Sequence, residues 1–118
     1  MILVDTSVWI QHLRTGSERL KSLLYDEEVL GHPFVLGELA CGSLKNRKEV
    51  LRLMESLPQA HIVEHDEVIH FLDTKALYGR GLGWIDVHLL ASTLLSDATI
   101  WTLDQKLHNV ALRLEISA

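Results

Sequence analysis

A chain of 118 residues, 47% hydrophobic and 23% charged at a mean hydropathy of +0.14, has room for one domain (residues 1–118) around one core, and its 7 Gly and 2 Pro leave no basis for a disordered, collagen-like or linker protein. No apolar run reaches the ~18 to 20 residues of a membrane span, Asp5 comes too early for a signal-peptide core, and the single Cys41 excludes a disulfide framework or a multi-thiolate zinc site, so a cytoplasmic protein without a membrane association is expected. The net charge of −5, from 11 basic and 16 acidic residues, argues against a nucleic-acid partner held by a broad basic surface, unless several acids gather around metal ions and set the local field themselves.

Met1-Ile2-Leu3-Val4 is a short apolar run ended by a polar cluster. It predicts a buried strand leading into a helix over Thr6–Leu13. After the Thr15-Gly16-Ser17 break, Leu20, Leu23 and Leu24 form a helical stripe, and Val29-Leu30 is a brief candidate strand before His32-Pro33. Pro33 suits the first turn of a helix over Phe34–Cys41, with Gly42 as its stop. Asn46 and Glu49 have the form of a capping box, and Val50, Leu53, Met54 and Leu57 share one face of the helix that follows, up to Pro58. Ile62-Val63 is too short to assign. Val68, Phe71, Leu72, Lys75 and Ala76 predict an amphipathic helix through Tyr78, ended by Gly79-Arg80-Gly81-Leu82-Gly83. A helix over Trp84–Leu95, a strand over Thr99–Thr102 and a helical repeat at Leu103, Leu107, Val110, Ala111 and Leu114 complete the order. Strands separated by helices imply parallel neighbours, hence an α/β fold.

In an open parallel sheet ligands bind beyond the carboxyl ends of the strands. Asp5 directly follows the first strand and Asp104 the last, so both carboxylates should emerge at one edge. Each also suits a helix start, Asp5 as an N-cap and Asp104 in a first turn where Thr102 and Gln105 fit a capping box. Glu38 is the only charge in an otherwise apolar helix, and Asp86 the only acid from Trp84 to Ser96. A carboxylate on an apolar helix face is paired, metal-bound or at an edge from which it reaches solvent. Four acids gathered in one pocket repel one another by several kcal/mol unless cations or protons neutralise them. Oxygen-only ligands select hard cations, Mg²⁺ or Mn²⁺. Setting these four aside reduces the net −5 to −1, which allows an anionic substrate.

The segments LVDTS, PFVLGELACG, GLGWIDVHLLA and WTLDQKL resemble, in order and across the whole chain, the four acidic motifs of the PIN domain, most closely in the VapC type of ribonuclease toxin from bacterial type II toxin-antitoxin pairs. The resemblance implies a three-layer α/β/α fold around a central parallel sheet. It implies that Asp5, Glu38, Asp86 and Asp104 are the metal-binding and catalytic acids, with Ser7 and Thr102 as supporting hydroxyls. It also implies a Mg²⁺-dependent endoribonuclease (Mn²⁺ substituting) that cuts structured RNA such as tRNA or rRNA, a cognate antitoxin, and a homodimer. Water activated by metal would leave 5'-phosphate and 3'-hydroxyl ends.

Other readings are weaker. Arg80, in the glycine-rich loop before Asp86, is a candidate phosphate contact, whereas Lys45, Arg47, Lys48 and Arg52 suit a solvated helix face. His61 and His65 have metal-like spacing without a third ligand. Trp9, Trp84 and Trp101 suit the core or an interface, and Cys41 in its apolar helix is expected to be an inert buried thiol. A receiver-like phosphoacceptor module would carry an acidic pair after its first strand, where this chain has one acid. A non-catalytic binding module would leave the four acids dispersed.

Overall fold

A computed structural model describes all 118 residues. In chain order the elements are β1 (Ile2–Val4), α1 (Thr6–Thr15), α2 (Glu18–Tyr25), β2 (Val29–Leu30), α3 (Pro33–Ala40), α4 (Arg47–Ser56), α5 (His65–Thr74), α6 (Trp84–Leu95), β3 (Thr99–Trp101) and α7 (Gln105–Arg113). The three strands are parallel in the order β2-β1-β3, with Leu3 opposite both Leu30 and Ile100. One-residue parallel pairings extend each edge, Gly31 with Gln59 beyond β2 and Ile100 with Ser117 beyond β3. The helices make this sheet the middle of a three-layer α/β/α arrangement.

The strands are uniformly apolar because they are covered on both faces: Leu3, Val4, Val29 and Ile100 are all at or below 1% exposure. Strands this short bring few side chains, so helices supply most of the core, among them Val8, Trp9, Leu20, Leu39, Met54, Leu89, Leu90 and Leu107. α6 is the central helix. Every residue from Val87 to Thr93 is buried, as expected of a helix without a polar face, and the Thr93 hydroxyl is satisfied by the Leu89 carbonyl at 2.6 Å. α3 is likewise apolar along its length and packs against α1 and α4. Gly37 interrupts it at a cost of roughly 1 kcal/mol relative to Ala.

Local departures from the sequence expectations have identifiable causes. Asn46 is left-handed (φ 56°) and its side chain caps nothing, so the capping box with Glu49 does not form; α4 is instead tied back by Arg47, whose guanidinium donates twice to the Ala40 carbonyl. α5 ends at Thr74, short of Tyr78, because Ala76 turns left-handed (φ 52°). The final helix stops at Arg113, and Glu115 (φ 60°) swings the chain back so that Ser117 joins the sheet. In the loop after α5, Gly81 has φ 78°, and a Cβ there would meet the Lys106 side chain at 2.8 Å. The positive φ favours glycine here, and the bare backbone lets the Lys106 side chain lie against it.

Candidate active site

Asp5 ends β1 while still in the sheet, its N–H donating to the Trp101 carbonyl at 2.9 Å. Parallel pairing of β1 with β3 therefore delivers Asp5 and the Thr102–Asp104 segment to the same edge. Asp5 occupies the N-cap position of α1, yet its side chain caps nothing. Its Oδ2 instead accepts hydrogen bonds from Ser7 Oγ (2.7 Å) and Thr102 Oγ1 (2.8 Å). Each hydroxyl spends its one proton on Asp5 and accepts a backbone N–H in turn, Ser7 from Leu103 and Thr102 from Asp104, both at 3.0 Å. Asp5 is 7% exposed. A carboxylate this buried is tolerable because two donors serve one of its oxygens.

Asp104 both caps a helix and faces the site. Its Oδ1 accepts the Leu107 N–H at 2.9 Å as the N-cap of α7, while Gln105 pairs with Asn109 and forms no box with Thr102. Glu38, in the last turn of α3, accepts the Thr6 hydroxyl at 2.7 Å on Oε1 and is exposed. Thr6 adjoins Asp5, so this bond draws α3 to the edge where Asp5 emerges. Asp86 sits in the first turn of α6 and accepts the Gly83 N–H at 3.0 Å on Oδ2. Burial holds its carboxyl above the ordinary range, the Gly83 N–H pulls it down, and the charges of Asp5 and Asp104 push it up again.

One pattern unites the four acids: each has one oxygen committed to a donor of the chain and the other without a hydrogen-bond partner. Orientation is thus fixed while a lone-pair face stays available, which suits ligation of a hard cation by oxygen. No three acidic, imidazole or thiol groups yet stand close enough to share one ion. Glu38 and Asp104 are exposed side chains, so their free oxygens have room to rotate.

Among the remaining candidates, Arg80 donates through Nε to the Ala76 carbonyl at 3.0 Å and lines a surface hollow of about 340 Å³ with Lys106 and Arg113. Lys106, two residues beyond Asp104, was not legible as part of this basic group, because only the packing of the loop after α5 against α7 brings it beside Arg80. Thr6 was also missed; the only signal was its place between Asp5 and Ser7 at a helix start. His65 packs its ring on Trp84 (5.1 Å between centroids) and joins no metal-ligating group. Trp9 is core at 1% exposure, Trp101 is half-buried beneath the Arg19 guanidinium at 4.2 Å, and Trp84 is 39% exposed. Cys41 is exposed rather than buried. It stands at the C-cap of α3, where the chain leaves the packed face of the helix. The largest hollow, about 550 Å³ between α5 and the second half of α6, contains none of the four acids. No helix is long and apolar enough to cross a membrane.

Comparison with known proteins agrees with this fold. The PIN domain family matches residues 2–112. The chain is also 48% identical over 124 aligned positions to Ribonuclease VapC32 of Mycobacterium tuberculosis, in both strain CDC 1551 / Oshkosh and strain ATCC 25618 / H37Rv, with 99% of this chain and 100% of each relative covered. With a family match across nearly all of its length and whole-length relatives at this identity, the chain belongs to the PIN domain family.

Proposed function

We infer that the protein is a metal-dependent endoribonuclease, the toxin of a toxin-antitoxin pair, acting as one domain over residues 1–118. The observation that carries this reading is the set of four carboxylates, each with one oxygen anchored and one free, at the carboxyl edge of the sheet. The similarity to a ribonuclease over the full chain supports RNA as the substrate.

Asp5, Asp86 and Asp104 would hold Mg²⁺ or Mn²⁺, with Glu38 completing the set directly or through water. When bound, such a cation supplies Lewis acidity toward a phosphodiester and lowers the pKa of adjacent water. The chain's own contribution is orientation. Ser7 and Thr102 hold the Asp5 carboxylate in one rotamer, Thr6 holds Glu38, and Leu107 N–H holds Asp104. Burial first, and the charges of Asp5 and Asp104 second, raise the Asp86 carboxyl, and a bound cation would offset the second of these. Arg80, with Lys106 and Arg113, offers positive charge to the RNA backbone beside this otherwise acidic edge. A net charge of −5 makes overall RNA affinity weak, so the target is selected by the shape of an exposed loop in structured RNA such as tRNA or rRNA.

A toxic nuclease needs restraint in the cytoplasm. The partner is a small antitoxin whose tail offers Arg or Lys to the carboxylates in competition with metal, and the working form is a homodimer. The test is cleavage of structured RNA by the purified protein with Mg²⁺ or Mn²⁺. Cuts at few sites, silenced by EDTA and ending in 5'-phosphate and 3'-hydroxyl, are expected. Products with 2',3'-cyclic phosphate, or full activity in EDTA, would refute the assignment of the four acids.

A further inference from the structure

Glu38 has a second environment besides the carboxylate edge. It also lines a pocket of about 350 Å³ between α3 and the start of α6, together with Phe34, Gly37, Cys41, Trp84 and Ile85. Both aromatic walls are partly exposed, Phe34 at 36% and Trp84 at 39%. They are braced from behind by His88, whose ring lies 4.7 Å from Phe34 and 4.6 Å from Trp84 in edge-to-face contact. The Trp84 ring also rests on His65. Two partly exposed aromatic rings thus border the pocket, each held by contact with His88.

Gly37 adds an independent observation. It sits within a helix, has no left-handed backbone requirement, and a Cβ built on it would meet nothing within 4 Å. Neither packing nor conformation inside the protein calls for glycine there, although glycine is a poor helix former. The bare backbone makes sense if something outside the chain approaches it closely. That something must tolerate the lining: it contains no Lys or Arg, and its one charge is the Glu38 carboxylate, so a phosphate is refused. A flat, uncharged ring that stacks on aromatic faces fits.

We propose that this pocket takes an unstacked nucleobase of the RNA, next to the phosphate being cut, with the base stacked against the aromatic lining of Phe34 and Trp84 beside Gly37. The proposal rests on the ribonuclease reading, since Glu38 lies at once in the pocket wall and in the carboxylate set. It gives the enzyme a way to choose a splayed-out loop nucleotide without a broad basic surface. Trp84 and Phe34 are substrate-binding residues here, and Gly37 is a specificity residue that acts by leaving room.

Two readouts test this. The first is photo-crosslinking of the wild-type protein to a randomised single-stranded RNA pool carrying 5-iodouridine, in EDTA so that no cutting is needed. A crosslink to the peptide holding Trp84 or Phe34 is expected, and Gly37→Leu should abolish it. That variant folds, because leucine is the better helix former and its side chain enters open space. The second is cleavage of an RNA that the wild type cuts in Mn²⁺: Gly37→Leu and Trp84→Ala should each lower kcat/KM about tenfold, the scale of one lost stacking contact. Crosslinks elsewhere, or Gly37→Leu cutting at the wild-type rate, would overturn the proposal and leave the nuclease assignment standing; the second result is also what a pocket occupied by a protein segment would give. A wild type that crosslinks at Trp84 but cuts no RNA in Mn²⁺ would keep the pocket and remove hydrolysis.

Discussion

Acidification should release α3, the helix that carries Glu38, through one buried histidine. His32 N-caps α3: its Nδ1 accepts the Phe34 N–H at 3.0 Å, which puts the ring proton on Nε2, where it is donated to Ser92 Oγ at 3.0 Å. At 2% exposure the neutral ring fits and an imidazolium does not; burial first, and the nearby His88 second, lower its pKa from 6.5 to about 4. Between these values the unfolded chain binds more protons than the folded one, so the stability His32 contributes is fully present above pH 6.5 and is lost as pH falls toward 4. At 1.36 kcal/mol per pH unit the loss is about 2 kcal/mol by pH 5 and about 3 kcal/mol once below the folded pKa. That is a large share of the roughly 5 to 15 kcal/mol of a typical domain. The perturbation is His32→Asn, which keeps an N-cap acceptor but cannot titrate. At pH 7 it should cost about 1 to 2 kcal/mol for the lost Ser92 bond and ring packing. By pH 5 that gap should have narrowed or inverted by about 2 kcal/mol, while His12 and His88, both held low first by burial, titrate in both proteins and cancel. Urea unfolding of both proteins at the two pH values measures this, with the His32 ring resonance followed by NMR. Parallel stability curves, or a ring that titrates near its ordinary value, would refute the reasoning.

Asp104→Asn should abolish RNA cleavage yet leave the melting temperature in the absence of metal unchanged or higher, since Asn caps α7 as well as Asp does and carries no charge; a variant that unfolds would reduce Asp104 to a cap. Thr102→Val leaves Asp5 with one donor and strips the Asp104 N–H of its acceptor, so it should cost about 1 to 3 kcal/mol in urea unfolding and most of the activity, with Thr102→Ser restoring both. Asp86→Asn should raise stability at neutral pH without metal. The fold lifts the Asp86 carboxyl above 3.8, so its ionised form opposes folding at pH 7, and the advantage of Asn should vanish as pH falls through the raised pKa to 3.8 and below, which thermal melts across pH would show.

The order of strands and helices was legible because each element carries its own evidence: apolar runs for strands covered on both faces, and helical spacing where one side is buried. Parallel pairing alone then sends Asp5 and Asp104 to one edge, so half of the candidate site followed from local pattern and topology. Single-residue events were not legible. Gln59 and Ser117 join the sheet through one pairing each, too little to leave a period in the sequence. Asn46 and Glu49 match a capping box, yet a left-handed backbone at Asn46 overrides it. Cys41 looks buried in an apolar segment and is exposed because the helix ends there. The composition of the segments around Glu38 and Asp86 marked both acids as unusual, but what acts on them comes from other elements: Thr6 orients Glu38, and the charges of Asp5 and Asp104 add to burial in raising the Asp86 carboxyl. The bond from Thr102 to Asp5 spans 97 positions in the chain. Periodicity records which face of an element is dry, averaged over a turn or more. A hydrogen bond is decided by a few tenths of an ångström between two atoms, and only the packed sheet brings those atoms together.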